Sequence, residues 1–217
     1  MRQGTQADAP EIARLIKTLW SDDNPDPAWI ARVSLESNHV TLLELADDGR
    51  LIGFVDGFTT VARDGILRWE IDLLGVHPDQ RGRGIAQNLV RASVKAGQQA
   101  GASITRALVR IDNRAAQTTF ERCGFTTDET IRHLYISDHD LNDRAPVPPA
   151  AHLISVSTLT YSGIWVEGDL LPEALRAAQA IRTRYRWDVA GVILAEESFA
   201  HEQTHYHLVG RFRWLTL

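Results

Sequence analysis

Cysteine is almost absent from this 217-residue sequence, because Cys123 is the single one. One cysteine excludes an internal disulfide framework and fits a reducing compartment. The sequence also lacks any apolar run near the roughly 20 residues that a membrane-spanning helix needs, and it begins without an apolar signal region. We therefore expect a cytoplasmic protein with no membrane association.

An excess of positive charge is missing too, since the formal net charge is -5 at pH 7. This balance argues against a general nucleic-acid-binding protein and permits a cationic substrate. The hydrophobic content of 44% and the charged content of 24% are ordinary for a folded protein. The length suits one large domain, or one domain with an appendage, and is sufficient to bury a core. The function must therefore be sought in motifs rather than in composition.

Hydrophobic periodicity and turn residues predict an α/β fold with a mixed, predominantly antiparallel sheet. Over the first 140 residues the predicted order is two helices, three strands in an antiparallel meander, helix, strand, helix and strand. The meander is predicted at residues 40–46, 51–60 and 66–76, and the helix after it begins at Ile85.

A proline-rich stretch at residues 142–151 is predicted to be a linker between two parts of the chain. Residues 1–141 form the first domain in this division. Residues 152–217 show a ββαββ pattern, whose short strands offer a small core and open edges. We therefore expect this small α/β unit to pack on the first domain or on a second subunit.

The stretch from Trp69 to Ala86 predicts a buried strand, a loop rich in glycine and arginine at residues 81–84, and a helix. The first amides of a helix and the positive end of its dipole attract anions, and glycines let a phosphate approach the backbone. We interpret this turn as a site for the pyrophosphate of a cofactor. It lacks the third glycine of a dinucleotide fingerprint, at Gln87, and the Gly-Lys-Ser/Thr of a P-loop. The other interpretation of such glycines is a tight turn without a ligand.

Together these residues resemble the GNAT superfamily of N-acetyltransferases, which use acetyl-CoA, over roughly residues 1–140. The family signature Arg/Gln-x-x-Gly-x-Gly/Ala is present as Arg81-Gly82-Arg83-Gly84-Ile85-Ala86, after Leu74-Gly75-Val76-His77-Pro78. A second mark is Asn113 at the start of the next helix, followed by Phe120 and Gly124-Phe125. The resemblance implies the GNAT acyl-CoA N-acyltransferase fold for the first domain. The C-terminal unit is then either a degenerate half of that fold or a dimerisation unit.

The resemblance implies acetyl-CoA as the cosubstrate and no metal. The implied cofactor-binding residues are Leu74, Gly75, Val76, Arg81, Gly82, Arg83, Gly84, Ile85, Ala86, Asn113 and Phe120. Backbone groups of Leu74 and Val76 would pair with the pantetheine arm as with an added strand, and one of these amides would polarise the thioester carbonyl. Many members carry a tyrosine that protonates the leaving thiolate, and Phe120 stands in that position without a hydroxyl group.

Acetylation of an amine needs a base, and Glu70 and Asp72 are the candidate catalytic residues. Period-two alternation predicts both on the same strand face as the residues that would contact pantetheine. Glu70 falls at the position of the family's glutamate base, and burial would raise the pKa of such a carboxylate. Alternatively, one of the two caps a bulge or pairs with an arginine such as Arg68 or Arg106, or Asp72 binds a cationic amine.

Two further patterns concern ligands. We expect the acceptor substrate to enter near an acidic loop with aromatic residues, which contains Trp20, Asp22, Asp23, Asp26 and Trp29. The other interpretation is a solvated acidic loop with tryptophans that belong to the core. His201-Glu202-Gln203-Thr204-His205 matches the His-Glu-x-x-His zinc motif. Because no helix of adequate length is predicted around it, we interpret it as a surface loop of histidines.

The sequence therefore predicts an N-acetyltransferase that transfers an acetyl group from acetyl-CoA to a primary amine of a small molecule or peptide by direct attack. The alternative is a CoA-binding regulatory or scaffold protein with impaired catalysis, which Phe120 and the extra unit motivate. No nucleic-acid partner is expected. The C-terminal strands are a candidate homodimer interface.

Overall fold

The computed structural model describes residues 1–127, 132–141, 145–168, 172–194 and 205–217. The α-helices are α1 (Ala9–Leu19), α2 (Pro27–Val33), α3 (Ile85–Gln99), α4 (Arg114–Arg122) and α5 (Pro172–Tyr185). The strands are β1 (Arg2–Gln3), β2 (His39–Leu45), β3 (Leu51–Val61), β4 (Leu67–Val76), β5 (Ile104–Val109), β6 (His133–Ser137), β7 (Ala151–Ser157), β8 (Ser162–Gly168), β9 (Val189–Leu194) and β10 (His207–Thr216). Within these ranges no helix is long and apolar enough to cross a membrane.

All ten strands form one sheet in the order β1-β2-β3-β4-β5-β10-β6-β9-β8-β7. The pairs β4–β5 and β8–β9 are parallel, and the other pairs are antiparallel. The predicted mixed and predominantly antiparallel sheet is therefore confirmed. Strand β10 lies between β5 and β6, so it completes a sheet that begins more than a hundred residues earlier in the sequence. The division into a first domain, a linker and a second unit stays a prediction.

Helices cover both faces of the sheet because the strands are apolar on both sides. On one face, which we call the outer face, α3 and α4 bury residues such as Val55, Trp69 and Ile71, and α5 packs farther along. On the inner face, α1 and α2 cover Phe54 together with Leu159, which lies between β7 and β8. The two parts of the chain therefore share a core.

The inner faces of distant strands meet because the sheet curves. The ring of Phe58 on β3 lies 6.3 Å from that of Trp165 on β8, and Trp165 lies 6.1 Å from Phe212 on β10, between ring centroids. Trp29 of α2 donates its indole N–H to the carbonyl of Thr158, at 2.8 Å. The hairpin of β7 and β8 is thus held over the first half of the sheet.

A buried charge cluster joins the same two parts. The side chain of Arg106 on β5 is fully buried, and its Nη2 and Nη1 lie 2.6 Å from Glu70 Oε1 and Glu167 Oε1, respectively. Arg68 also pairs with Glu167, at 2.9 Å. Burial raises the pKa of Glu167, but the charges of Arg106 and Arg68 outweigh it and hold that pKa below its ordinary value. Glu167 therefore stays ionised at neutral pH, and the cluster connects β4 and β5 to β8.

Replacing Glu167 with glutamine should destabilise the protein, because Glu70 alone would then have to balance two buried arginines, Arg68 and Arg106. We expect Glu167→Gln to lower the free energy of unfolding by roughly 3 kcal/mol, as for other broken buried ion pairs. Glu173→Gln, at an exposed position of α5, is the matched control. Chemical denaturation measures both, and equal stability of the two variants would contradict this role of the cluster.

Candidate active site

The parallel pair β4–β5 separates partway along its length. Backbone pairing runs from Arg68 with Ile104 to Ile71 with Ala107. Beyond that point β5 continues along β10, while β4 continues along β3 as far as Val76. Residues 72–76 of β4 therefore have no partner on their β5 side among the described strands. Such an open edge accepts an extended, amide-containing ligand by strand addition.

Asp72 is the extra residue of a β-bulge where this separation begins. Across β3, Asp56 pairs with Leu73 and the next residue, Gly57, pairs with Ile71, so Asp72 has no opposite partner. The bulge reverses the alternation and puts Glu70 on the inner face, while Leu74 and Val76 pack on the outer face. The expectation of one shared face was therefore wrong, because alternation assumes an unbroken pleat.

The loop after β4 presents free amides to solvent. Gly82 and Gly84 have φ angles of 77° and 79°, a region that favours glycine, and a Cβ at either position would meet nothing within 4 Å. Gly84 also caps α3 without a side-chain hydrogen bond. Within the described chain, the amides of residues 82–87 donate to no backbone carbonyl outside regular helix bonds. Converging open amides at a helix start form an anion site.

A cleft of about 710 Å³ connects the open edge of β4 to this loop. It is lined by most of the predicted cofactor residues: Leu74, Gly75, Val76, Arg81, Gly82, Gly84, Ile85, Ala86 and Asn113. Arg83, in the same loop, is outside that lining. Trp20 lines the cleft as well, at the end of α1. The structure thus brings together the two motifs that the sequence separates by nearly thirty residues.

Three of the predicted cofactor residues have contacts within the protein itself, and the first of them confirms that Asn113 caps a helix. The side chain of Asn113 accepts the amide of Ala116 at 3.0 Å and caps α4. Arg81 donates Nε to the carbonyl of Val76, at 3.3 Å. Phe120 is buried and packs edge to face on Phe125, with ring centroids 5.0 Å apart, outside the lining of the cleft. Contacts of these residues with a cofactor stay predictions.

Glu70 is occupied by structural partners. Its carboxylate accepts hydrogen bonds from Arg106, at 2.6 to 3.0 Å, and from the hydroxyl of Thr60. Only 2% of the residue is exposed. This is the arrangement that the sequence offered as the alternative to a catalytic role, namely pairing with an arginine.

Asp72 is partly exposed, and its environment differs from that of Glu70. Burial and the nearby carboxylate of Asp56 raise the pKa of Asp72, while His39, Tyr161 and Thr158 oppose the shift, and the resulting pKa is about 7. The hydroxyl of Tyr161 donates to Asp72 Oδ1 at 3.4 Å. A carboxylate that is about half ionised at pH 7 suits a general base.

Tyr161 is the residue of this site that sequence reasoning missed. It is 89 positions from Asp72 in the sequence and belongs to no motif, so only the folded structure shows the contact. Of the acidic loop, Asp26 caps α2 by accepting the amide of Ala28, and Trp29 contacts the β7–β8 hairpin. Residues 201–204 of the histidine motif lie outside the described residues. Within the described ones, no three His, Cys, Asp or Glu side chains are grouped to hold a metal ion.

The comparisons with known proteins agree with this geometry. The family model described as "Acetyltransferase (GNAT) family" matches residues 9–125. N-alpha-acetyltransferase RimI of Mycobacterium tuberculosis is 31% identical over 121 residues, which are 56% of this chain and 74% of that protein. Mycothiol acetyltransferase of Streptomyces avermitilis is 38% identical over 84 residues, but these are only 26% of that protein and 38% of this chain.

A solved structure extends the likeness of the fold to the second half. It is a GCN5-related glucosamine N-acetyltransferase region of a fungal multi-domain β-N-acetylglucosaminidase, with a TM-score of 0.62 and 13% identity. The match covers 98% of this chain and 37% of that one. The separated strands and the loop before α3 thus define a GNAT-type acyltransferase. This chain belongs to the acetyltransferase (GNAT) family, in the class of acetyl-CoA-dependent N-acetyltransferases.

The open glycine loop and the open edge of β4 fit CoA, because they offer amides to a pyrophosphate and to the pantetheine arm. Gly84→Ala should weaken binding of acetyl-CoA roughly tenfold, which is about 1.4 kcal/mol, because its methyl group fills the space that a phosphate would occupy. Gly49→Ala is the control, since Gly49 has a similar φ of 83° and equally open surroundings in the β2–β3 turn. Titration calorimetry should show weaker binding for Gly84→Ala alone, and an equal effect of both variants would assign the loss to backbone strain.

Proposed function

We propose that the protein transfers the acetyl group of acetyl-CoA to a primary amine of a small molecule or peptide, by direct attack of the amine. The observation that carries the proposal is the position of Asp72, a partly buried residue at the point where β4 leaves β5. Asp72 is outside the lining of the cleft that fits CoA, and Leu74, two residues farther along β4, is part of that lining. The relatives are named for different acceptors, so the acceptor is proposed only as a class.

Asp72 is the general base in this proposal. An amine enters as an ammonium ion at neutral pH and becomes nucleophilic when Asp72 removes its proton. With a pKa of about 7, Asp72 is ionised in a large part of the molecules at pH 7 and is a stronger base than an ordinary aspartate. Acetyl-CoA would supply the activated thioester, and an amide of the open β4 edge at Leu74 or Val76 would stabilise negative charge on its carbonyl oxygen. As the amine forms the new C–N bond, the C–S bond would break and CoA would leave as the thiolate.

Glu70 has a structural part in this proposal. A base must exchange its proton with substrate, but the Glu70 carboxylate is buried and already accepts hydrogen bonds from Arg106 and Thr60. Taking a proton there would disturb the ion pair that joins β4 to β5. Between the two candidate carboxylates, the geometry therefore supports Asp72.

Activity should rise with pH through an inflection near 7 in kcat/KM, because the ionised form of Asp72 is the active one. Asp72→Asn should lower kcat by about 10²- to 10⁴-fold and leave acetyl-CoA binding unchanged. Asp64→Asn, in the exposed turn before β4, is the control. The rates come from thiol release with a panel of amines, and undiminished activity of Asp72→Asn would rule out this base.

The same substitution separates catalysis from stability. An aspartate whose pKa is higher in the folded than in the unfolded protein contributes stability at low pH, and this is lost as the pH rises through the folded value. Asp72→Asn has no carboxylate to ionise, so it lacks this loss of stability at high pH. The thermal midpoint of the variant should therefore equal or exceed that of the wild type at pH 8.5. Differential scanning calorimetry at pH 5.5 and 8.5 measures the difference, and a greater loss of stability at the higher pH would contradict the assignment.

The regulatory or scaffold alternative keeps one supporting observation, the buried phenyl ring of Phe120 where the family tyrosine would stand. It predicts thermal stabilisation by acetyl-CoA with no thiol release across the amine panel. A cytoplasmic location and a homodimer stay predictions from the sequence. The candidate dimer interface would have to use the edge strand β7, because β10 is paired on both sides.

A further inference from the structure

The hairpin between β7 and β8 contacts the candidate base directly, although it belongs to the part of the chain beyond the family match at residues 9–125. Its turn places the hydroxyl of Tyr161 3.4 Å from Asp72 Oδ1. Both residues are partly buried. Tyr161 packs beside the inner-face cluster, which includes Leu108, the β5 residue just past the point of separation.

The turn is held from three sides. Within it, the hydroxyl of Thr158 accepts the amides of Thr160 and Tyr161, at 3.2 and 3.1 Å. Beneath it, Trp29 donates to the carbonyl of Thr158. Beside it, the carboxylate of Asp188 accepts both the amide and the hydroxyl of Ser162, at 2.7 and 3.0 Å. These contacts hold the backbone on both sides of Tyr161 in place, and thereby the point from which its side chain extends.

Resting on the proposed role of Asp72 as base, we propose that Tyr161 is a positioning residue that orients this carboxylate and sets the pH at which it works. A phenol that donates to a carboxylate stabilises the ionised form. It also fixes which oxygen remains free to accept a proton from the substrate. The second half of the chain thereby completes the acetyl-transfer site formed by the first.

Other groups around Asp72 also shift its pKa, some upward and some downward. Asp56 on β3 disfavours the ionised form by repulsion, while His39 on β2 favours it. These two form a buried pair, with His39 Nε2 and Asp56 Oδ2 2.7 Å apart, and the Asp56 charge raises the pKa of His39 although burial lowers it. Thr158 is the remaining group on the hairpin that favours the ionised form. Burial together with Asp72 raises the pKa of Tyr161 well above its ordinary value, so this hydroxyl keeps its proton.

The test is the pH dependence of kcat/KM for Tyr161→Phe, which keeps the ring and its packing but removes the hydroxyl. We expect the inflection to move upward by about one pH unit, because the ionised carboxylate loses a hydrogen bond. The rate should therefore fall roughly fivefold at pH 7 and remain close to that of the wild type at pH 9. Tyr185→Phe, an exposed tyrosine of the same half, should leave the profile unchanged.

The outcomes distinguish this inference from the proposed function. A uniform loss of rate at all pH values, or an unchanged profile, would show that Tyr161 does not set the ionisation of Asp72. If Asp72→Asn abolishes the inflection while Tyr161→Phe leaves it in place, only the role of Tyr161 is overturned. If Asp72→Asn keeps the wild-type rate and inflection, the proposed base fails, and this inference fails with it.

Discussion

The structure depends on the need to neutralise Arg106. A guanidinium group that is fully buried in the middle of a sheet is tolerated only when carboxylates surround it. Glu70 and Glu167 provide them from opposite sides, one from the neighbouring strand and one from the distant hairpin. This requirement fixes the parallel register of β4 and β5 and the position of β8 over them. It also explains why a glutamate at the position of the family base is occupied by structural contacts.

The candidate site follows from that arrangement. The cluster lies where β4 and β5 are still paired, and the bulge at Asp72 begins where they separate. Two residues apart on one strand, Glu70 therefore forms a structural ion pair, while Asp72 has a carboxylate that can gain or lose a proton near pH 7. The hairpin that supplies Glu167 to the first also supplies Tyr161 to the second. Stability and chemistry are thus linked through the same segment of the second half.

Local patterns in the sequence were sufficient for much of this. Turn residues and periodicity located most helices and strands to within a few residues, and the glycine loop and Asn113, predicted to bind the cofactor, line one cleft. A bulge at Glu70 or Asp72 was one of the alternatives, but its position could not be predicted, because an extra residue in a strand leaves no mark in apolar alternation. The contacts of Glu70 with Arg106, and of Asp72 with Tyr161, depend on which strands become neighbours. The pairing of Glu70 with Arg106 was predicted only as an alternative, and the contact of Asp72 with Tyr161 was not predicted.

The position of β10 has a consequence for how the protein folds. Its residues pair with partners in β5 that lie more than a hundred positions earlier, and forming such distant contacts requires closing a long loop. During synthesis, the edges of β5 and β6 that β10 will occupy stay unpaired until residues 207–216 have left the ribosome. Unpaired strand edges pair readily with other chains. Strand β10 is thus made after both of its neighbours, and until it pairs with them, aggregation competes with completion of the sheet.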